Sequence, residues 1–191
     1  TWSLYLISLA PDVRDALEAE IDAAGEDLAS AALSGERLAL TRAVLEEAMR
    51  LYPPVPSLSR TALADDVAGA CAIPKGALVV ISPYLLHRHA TLWQAPEQFR
   101  PERFLPGARE AIPRYAYLPF GAGPRVCIGQ QFAMVEAVIV LAALLRRLRF
   151  DYAGAEAPMP VQRITLRPGH GMPMRVTARQ AGQRPQPTAA N

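Results

Sequence analysis

The ten residues Phe120-Gly121-Ala122-Gly123-Pro124-Arg125-Val126-Cys127-Ile128-Gly129 constrain this chain more than any other stretch, because they set one cysteine in a glycine-rich loop directly before a long apolar run. The run predicts a helix over 130–148. The unpaired N–H groups of its first turn and the positive end of its dipole favour negative charge on the Cys127 sulfur. A thiolate held in this way suits metal ligation and nucleophilic attack alike. Gly123 can adopt a backbone conformation closed to other residues, and Gly129, expected in the first helical turn, leaves room for a flat group against the backbone. Phe120 is expected to pack beside the sulfur and keep water away. Arg125, two residues before the cysteine, offers a fixed cation to a carboxylate on the edge of the same flat group. A planar metal cofactor that carries carboxylates meets all four demands.

The rest of the chain predicts a mainly α protein with small β-sheets. Thr1 to Ile7 is an apolar helical stretch with no initiator Met and no cap before it, as though a helix were entered midway. Pro11 opens a second helix, with Val13, Leu17 and Ile21 in one stripe as far as Gly25. A third runs from Leu38 to Tyr52, buries Val44, Leu45, Ala48 and Leu51, and stops at Pro53-Pro54. At about 100° per residue, Glu47 and Arg50 on this helix lie roughly 60° apart, close enough to pair. Taken alone, they form an ordinary helix-surface ion pair worth about 0.3–0.5 kcal/mol. Residues 57–62, 67–72 and 77–82 read as short strands, with Pro74-Lys75-Gly76 turning between the last two. Cys71 is expected to be a small packed side chain. Ser82-Pro83 starts a short helix, and His87 with His89 reads as structural, since an H-x-H lacks a third ligand. From 94 to 119 the chain is expected to be an ordered meander. Residues 164–166 and 174–176 are expected to pair as a hairpin around Pro168-Gly169-His170-Gly171, and 179–191 to form a disordered tail.

The spacing Phe-x-x-Gly-x-Arg-x-Cys-x-Gly resembles the haem-binding loop of the cytochrome P-450 monooxygenases. Two further motifs occur in the family's order: Glu47-Ala48-Met49-Arg50 resembles its E-x-x-R helix, and Pro101-Glu102-Arg103-Phe104 its arginine-bearing partner segment. The resemblance implies that residues 1–178 are the C-terminal portion of a single domain of that α+β fold. It makes Cys127 the axial thiolate ligand of the iron of haem b (iron protoporphyrin IX). Phe120, Gly123, Arg125 and Gly129 would complete the cofactor loop, and Arg60, an arginine shortly after the E-x-x-R helix, would bind a haem propionate. Glu47, Arg50 and Arg103 would form a structural network that locks the loop.

The function implied is insertion of one oxygen atom of O2 into a small organic substrate. No flavin or nicotinamide fingerprint is present, so electrons would come from a redox partner, a ferredoxin or a flavoprotein reductase. The family's oxygen-activating acid and threonine lie upstream of Thr1, which leaves no catalytic residue here beyond Cys127. Haem binding without turnover, or an inactive truncated product, is the alternative. A cysteine hydrolase is disfavoured, because Arg125 stands where a nucleophile elbow needs glycine. A formal net charge of +2 gives no reason to expect nucleic acid. Two distant cysteines and three histidines without zinc-site spacing suggest a reducing, cytoplasmic compartment. The best apolar run, 132–145, is interrupted by Glu136 and falls short of the roughly 20 residues a membrane helix needs, so a soluble protein is expected.

Overall fold

Helices form where the apolar stripes predict them, and each is bounded for a visible reason. In the computed structural model, which describes residues 1–179, the first is α1 (Trp2–Ser8), followed by α2 (Pro11–Ala23) with proline in its first turn. Next is α3 (Leu28–Ser34), too short to show a stripe and therefore not predicted. Its signals are its caps: the Asp27 carboxylate accepts from the Ser30 N–H at 2.9 Å, and Gly35 closes the helix at φ 75°. Helix α4 (Ala39–Leu51) ends at Tyr52, ahead of the proline pair. After a stretch of hairpins come the one-turn α5 (Pro83–Leu86), capped by the Ser82 hydroxyl, and α6 (Gln130–Arg147).

These helices share one core. Leu17 and Ile21 of α2, Val44 of α4, and Val138, Leu141 and Leu145 of α6 meet there with Ile7 of α1 and Ala31 of α3. Burying one such large side chain contributes about 1.5–3 kcal/mol. The buried face of α6 follows Met134, Val138, Leu141, Ala142 and Leu145, the spacing of a single helical stripe. A second cluster holds Trp2, whose ring stacks on Tyr52 at 3.9 Å and 4° and whose indole N–H donates to the Leu166 carbonyl. On the opposite side of α4, Ala43 packs with Trp93, Phe104 and Ala116 of the meander. The meander contains single 3-10 turns at Pro101–Phe104 and Arg109–Ala111.

The strands are β1 (Leu58–Thr61), β2 (Asp66–Ala68), β3 (Cys71–Ile73), β4 (Leu78–Ile81), β5 (Leu148–Tyr152), β6 (Pro160–Gln162), β7 (Leu166–Pro168) and β8 (Met174–Ala178). They pair antiparallel as β1 with β4, β2 with β3, β5 with β8, and β6 with β7. Three expectations are corrected here. The stretch 67–72 is a hairpin and not one strand, because Gly69 turns the chain at φ 61°. The Pro74-Lys75-Gly76 turn joins β3 to β4 as expected, with the Ala77 N–H on the Pro74 carbonyl at 3.0 Å, and β4 pairs with β1. Cys71 sits at the hairpin tip and is exposed instead of packed. Residues 164–166 and 174–176 do not pair with each other: β7 folds back on β6, anchored by the Gly169 N–H to the Met159 carbonyl at 2.8 Å, while β8 joins β5.

The tail expected over 179–191 loses its first member. The Arg179 guanidinium binds both Glu18 (3.0 Å) and Asp22 (2.5 Å) on α2. Residues 180–191 lie outside the described part. No helix among the described residues is long and apolar enough to cross a membrane.

Candidate functional site

Glu47 and Arg50 point from the last turns of α4 into the contact with the meander, and both side chains are fully buried. The pair is bidentate: Arg50 Nε donates to Glu47 Oε2 at 2.7 Å and Nη2 to Oε1 at 2.8 Å. Arg50 Nη1 donates to the carbonyls of His87 (2.8 Å) and Pro96 (2.7 Å), and Nη2 also to that of Gln98 (3.0 Å). All five guanidinium N–H groups are thus used. Glu47 Oε1 accepts in addition from the Arg100 backbone N–H at 2.9 Å, and Arg103 Nε lies 3.5 Å away. This is no helix-surface pair: His87 at the end of α5, with Pro96 and Gln98 of the meander, supplies the carbonyls that make burial of the charge tolerable.

His87 extends the arrangement towards the cysteine. Its Nε2 accepts from the Leu118 backbone N–H at 2.8 Å, which puts the ring proton on Nδ1, 3.3 Å from the Arg50 carbonyl. Burial, opposed by the hydrogen bond that the ring donates to the Arg50 carbonyl, depresses its pKa to about 4. His89 is exposed and bonds only Thr91, so the two histidines do not converge. Tyr117 donates from its hydroxyl to the Glu46 carbonyl at 2.8 Å, and Arg109 pairs with the Glu46 carboxylate at 3.0 Å. Helix α4 therefore grips residues 117 and 118, immediately before the loop, through His87 and Glu46. Neither was predicted as a site residue. No spacing signal in the sequence could have told a bridging His87 from a packed one.

The loop is shaped by its own backbone. The Gly121 N–H bonds the Leu118 carbonyl (3.1 Å), Cys127 N–H the Phe120 carbonyl (3.0 Å) and Val126 N–H the Gly123 carbonyl (3.0 Å). Gly121 and Gly123 both have positive φ, 75° and 71°, which L side chains rarely adopt. Gly129 caps α6 and is not in its first turn. A Cβ there would stand 4.0 Å from the Cys127 sulfur, so its hydrogen leaves the sulfur's flank open. Cys127 and Arg125 are exposed, and Ile128 and Phe132 beside them are among the most exposed apolar residues of the chain. Phe120 is half-buried. None of the hydrogen bonds of the described residues uses the Arg125 guanidinium.

Arg60 lies on β1 opposite Val79, exposed, with Nη1 on the Ser59 carbonyl at 2.7 Å. Leu58, two residues earlier, approaches Gly121: its Cδ1 is 3.7 Å from where a Cβ would be. Strand alternation puts Arg60 on the same face as Leu58, the face towards the loop.

The donor set has one chemical implication. Among the described residues no three His, Cys, Asp or Glu side chains come together as a metal cluster. A metal already held in a macrocycle would need only the one sulfur from this chain. An apolar, glycine-flanked surface around the sulfur and unspent cations nearby fit such a group.

Comparison with known proteins agrees with that reading. Cyclooctatin synthase of Streptomyces melanosporofaciens is 39% identical over 168 residues, which cover 88% of this chain and 35% of that protein. Protein LUTEIN DEFICIENT 5, chloroplastic, of Arabidopsis thaliana is 36% identical over 183 residues, or 94% of this chain and 31% of that protein. The crystal structure of a cytochrome P450 (CYP102L1) superposes with a TM-score of 0.82 at 29% identity, over 94% of this chain and 41% of that one. The chain thus spans about a third of the length of these curated relatives. The family model described as Cytochrome P450 matches residues 1–173, nearly all of the described chain, and the chain accordingly belongs to the cytochrome P450 family.

Proposed function

We propose that this chain provides the cysteine-ligand side of a haem-dependent monooxygenase, which inserts one oxygen atom of O2 into a small organic substrate. The observation that carries the proposal is the exposed Cys127 sulfur, held at the head of α6 with Gly129 on its flank. When bound, haem b would supply one-electron and dioxygen chemistry, with the Cys127 sulfur as the ligand that this chain would contribute.

The chain's own residues bind and orient. Cys127 ligates through Sγ. Arg125 and Arg60 hold the cofactor carboxylates by charge-assisted hydrogen bonds, and Ile128 and Phe132 give apolar contact and exclude water. Glu47, Arg50 and Arg103, with His87, keep residues 117 and 118 in place and so fix the height of the loop. Residues 1–178 form the C-terminal portion of one domain. Electrons are delivered by a ferredoxin or a flavoprotein reductase, and two free cysteines support a reducing, cytoplasmic setting.

The test is the absorption spectrum of the reduced, carbon-monoxide-bound protein. The thiolate signature is expected in the wild type and in Cys71→Ala, and is expected to vanish in Cys127→Ser. Loss in Cys71→Ala with retention in Cys127→Ser would falsify the ligand assignment.

A further inference from the structure

A separate concavity of about 460 Å³ opens between the chain that follows α5 and the two 3-10 turns of the meander. Its volume lies in the range of small-molecule sites. The walls are largely apolar, from Leu92, Ile112 and Pro113 and the buried Trp93, while Arg100 and Arg103 supply guanidinium groups.

The charges around it do not balance. Arg100 is answered by Glu102, Nε to Oε1 at 2.7 Å. Arg103 has no carboxylate of its own. Its Nε stands 3.5 Å from Glu47, which is already engaged by Arg50 through both oxygens, so one buried carboxylate serves two guanidinium groups. Arg103 Nη2 donates to the Ala95 carbonyl at 2.9 Å, and no hydrogen bond among the described residues uses Nη1. Its side chain is only 11% exposed, so water screens the surplus charge poorly, and burial accordingly lowers its pKa.

We propose that this cleft binds a small organic carboxylate with an apolar body. The carboxylate would take the unspent donors of Arg103, with Arg100 at the rim, and the body would lie against Leu92, Ile112 and Trp93. A carboxylate matches a planar guanidinium in two parallel bonds, and an apolar body replaces water on walls that cannot hydrogen-bond. The site stands apart from the loop of Cys127, and only its test, which uses the haem-loaded protein, rests on the haem reading.

The test titrates benzoate, and benzamide as its uncharged counterpart, into the haem-loaded protein. The protein is kept in the reduced carbon-monoxide form so that the iron is diamagnetic. The readout is the indole N–H resonance of Trp93, identified by its loss in Trp93→Phe. Benzoate is expected to shift it saturably with a dissociation constant of about a millimolar, as suits a ligand of about nine heavy atoms, and benzamide to bind at least about tenfold more weakly. Arg100→Gln, which leaves the backbone bond to Glu47 in place, is expected to weaken benzoate several-fold, and Ala111→Phe to abolish the shift by filling the cleft. An indole resonance that benzoate does not move, an equal response to benzamide, or a response that persists in Ala111→Phe overturns the proposal.

Discussion

Arg50 and Arg125 carry the same guanidinium and stand in opposite circumstances. Arg50 is fully buried and spends all five N–H groups on the protein, on one carboxylate and three carbonyls. Arg125 is exposed and, among the described residues, makes no hydrogen bond with its side chain. The difference shows where this polypeptide is complete. Around Arg50 the chain folds back from the meander to answer every polar atom of the pair. Around Arg125 and Cys127 the described residues present a sulfur, a cation and an apolar surface that they do not themselves match. The first region is read as support, the second, on the function proposed above, as the surface that would receive the cofactor.

The contrast can be broken most forcefully at Arg50. Arg50→Ala leaves Glu47 buried without its bidentate partner and is expected to cost about 3–5 kcal/mol, seen as a large fall in the urea midpoint. Arg50→Lys should recover little, because an ammonium cannot reach five acceptors in a planar fork. An unchanged midpoint in Arg50→Ala would erase the distinction between the two arginines.

His87 gives the same region a pH dependence. Its folded pKa of about 4 lies below the ordinary 6.5, so the unfolded chain binds the proton more readily. Its contribution is complete above about pH 6.5 and is lost as pH falls towards about 4, a change of roughly 3 kcal/mol at most. Urea unfolding followed across that window should show this slope, and His87→Gln, which does not titrate, should flatten it whatever its absolute stability.

At the open region the expected effects move from stability to retention. Arg125→Ala and Arg60→Ala should each speed haem loss more than about tenfold, the equivalent of a charge-assisted bond of about 1.5–3 kcal/mol, with the melting temperature of the haem-free protein unmoved. Equal haem off-rates in wild type and both variants would remove these arginines from the site. The smallest effect is expected at Ile128, which is fully exposed. Ile128→Ser should leave the stability of the haem-free protein within about 0.5 kcal/mol, and a larger loss would show that this surface is part of the fold.

The cysteine loop was legible because its chemistry lies within ten consecutive residues, and the family membership bears out the resemblance drawn from it. The stripes of α2 and α4 were legible for a related reason, since a helix records its buried face in local spacing, while α6 was legible as a long apolar run. What could not be read depends on distant segments. Spacing shows that Glu47 and Arg50 can touch, but not that carbonyls 37 to 48 residues further along bury them. Alternation marks 174–176 within β8, but puts the other strand at 164–166, where the chain bends and β7 starts only at Leu166, and it does not say that β7 and β8 have different partners. Cys71 looked packed because cysteine usually is, whereas a two-residue turn at Ala70 and Gly69 carries it to the surface.

The contacts that join the first helices to the last strands bear on how fast the chain can fold. Trp2 reaches the Leu166 carbonyl across 164 residues, Arg14 reaches Asp151 across 137, and Arg179 reaches Glu18 across 161. Such closures give up loop entropy before any contact repays it, and proteins rich in them fold slowly. On a ribosome α1 and α2 emerge before β5, β7 and β8, with their apolar faces ready, and must wait for them. The earlier-made partners of these contacts are secured only when the later ones arrive, and a chaperone that shields α1 and α2 during that interval should raise the yield of folded chain.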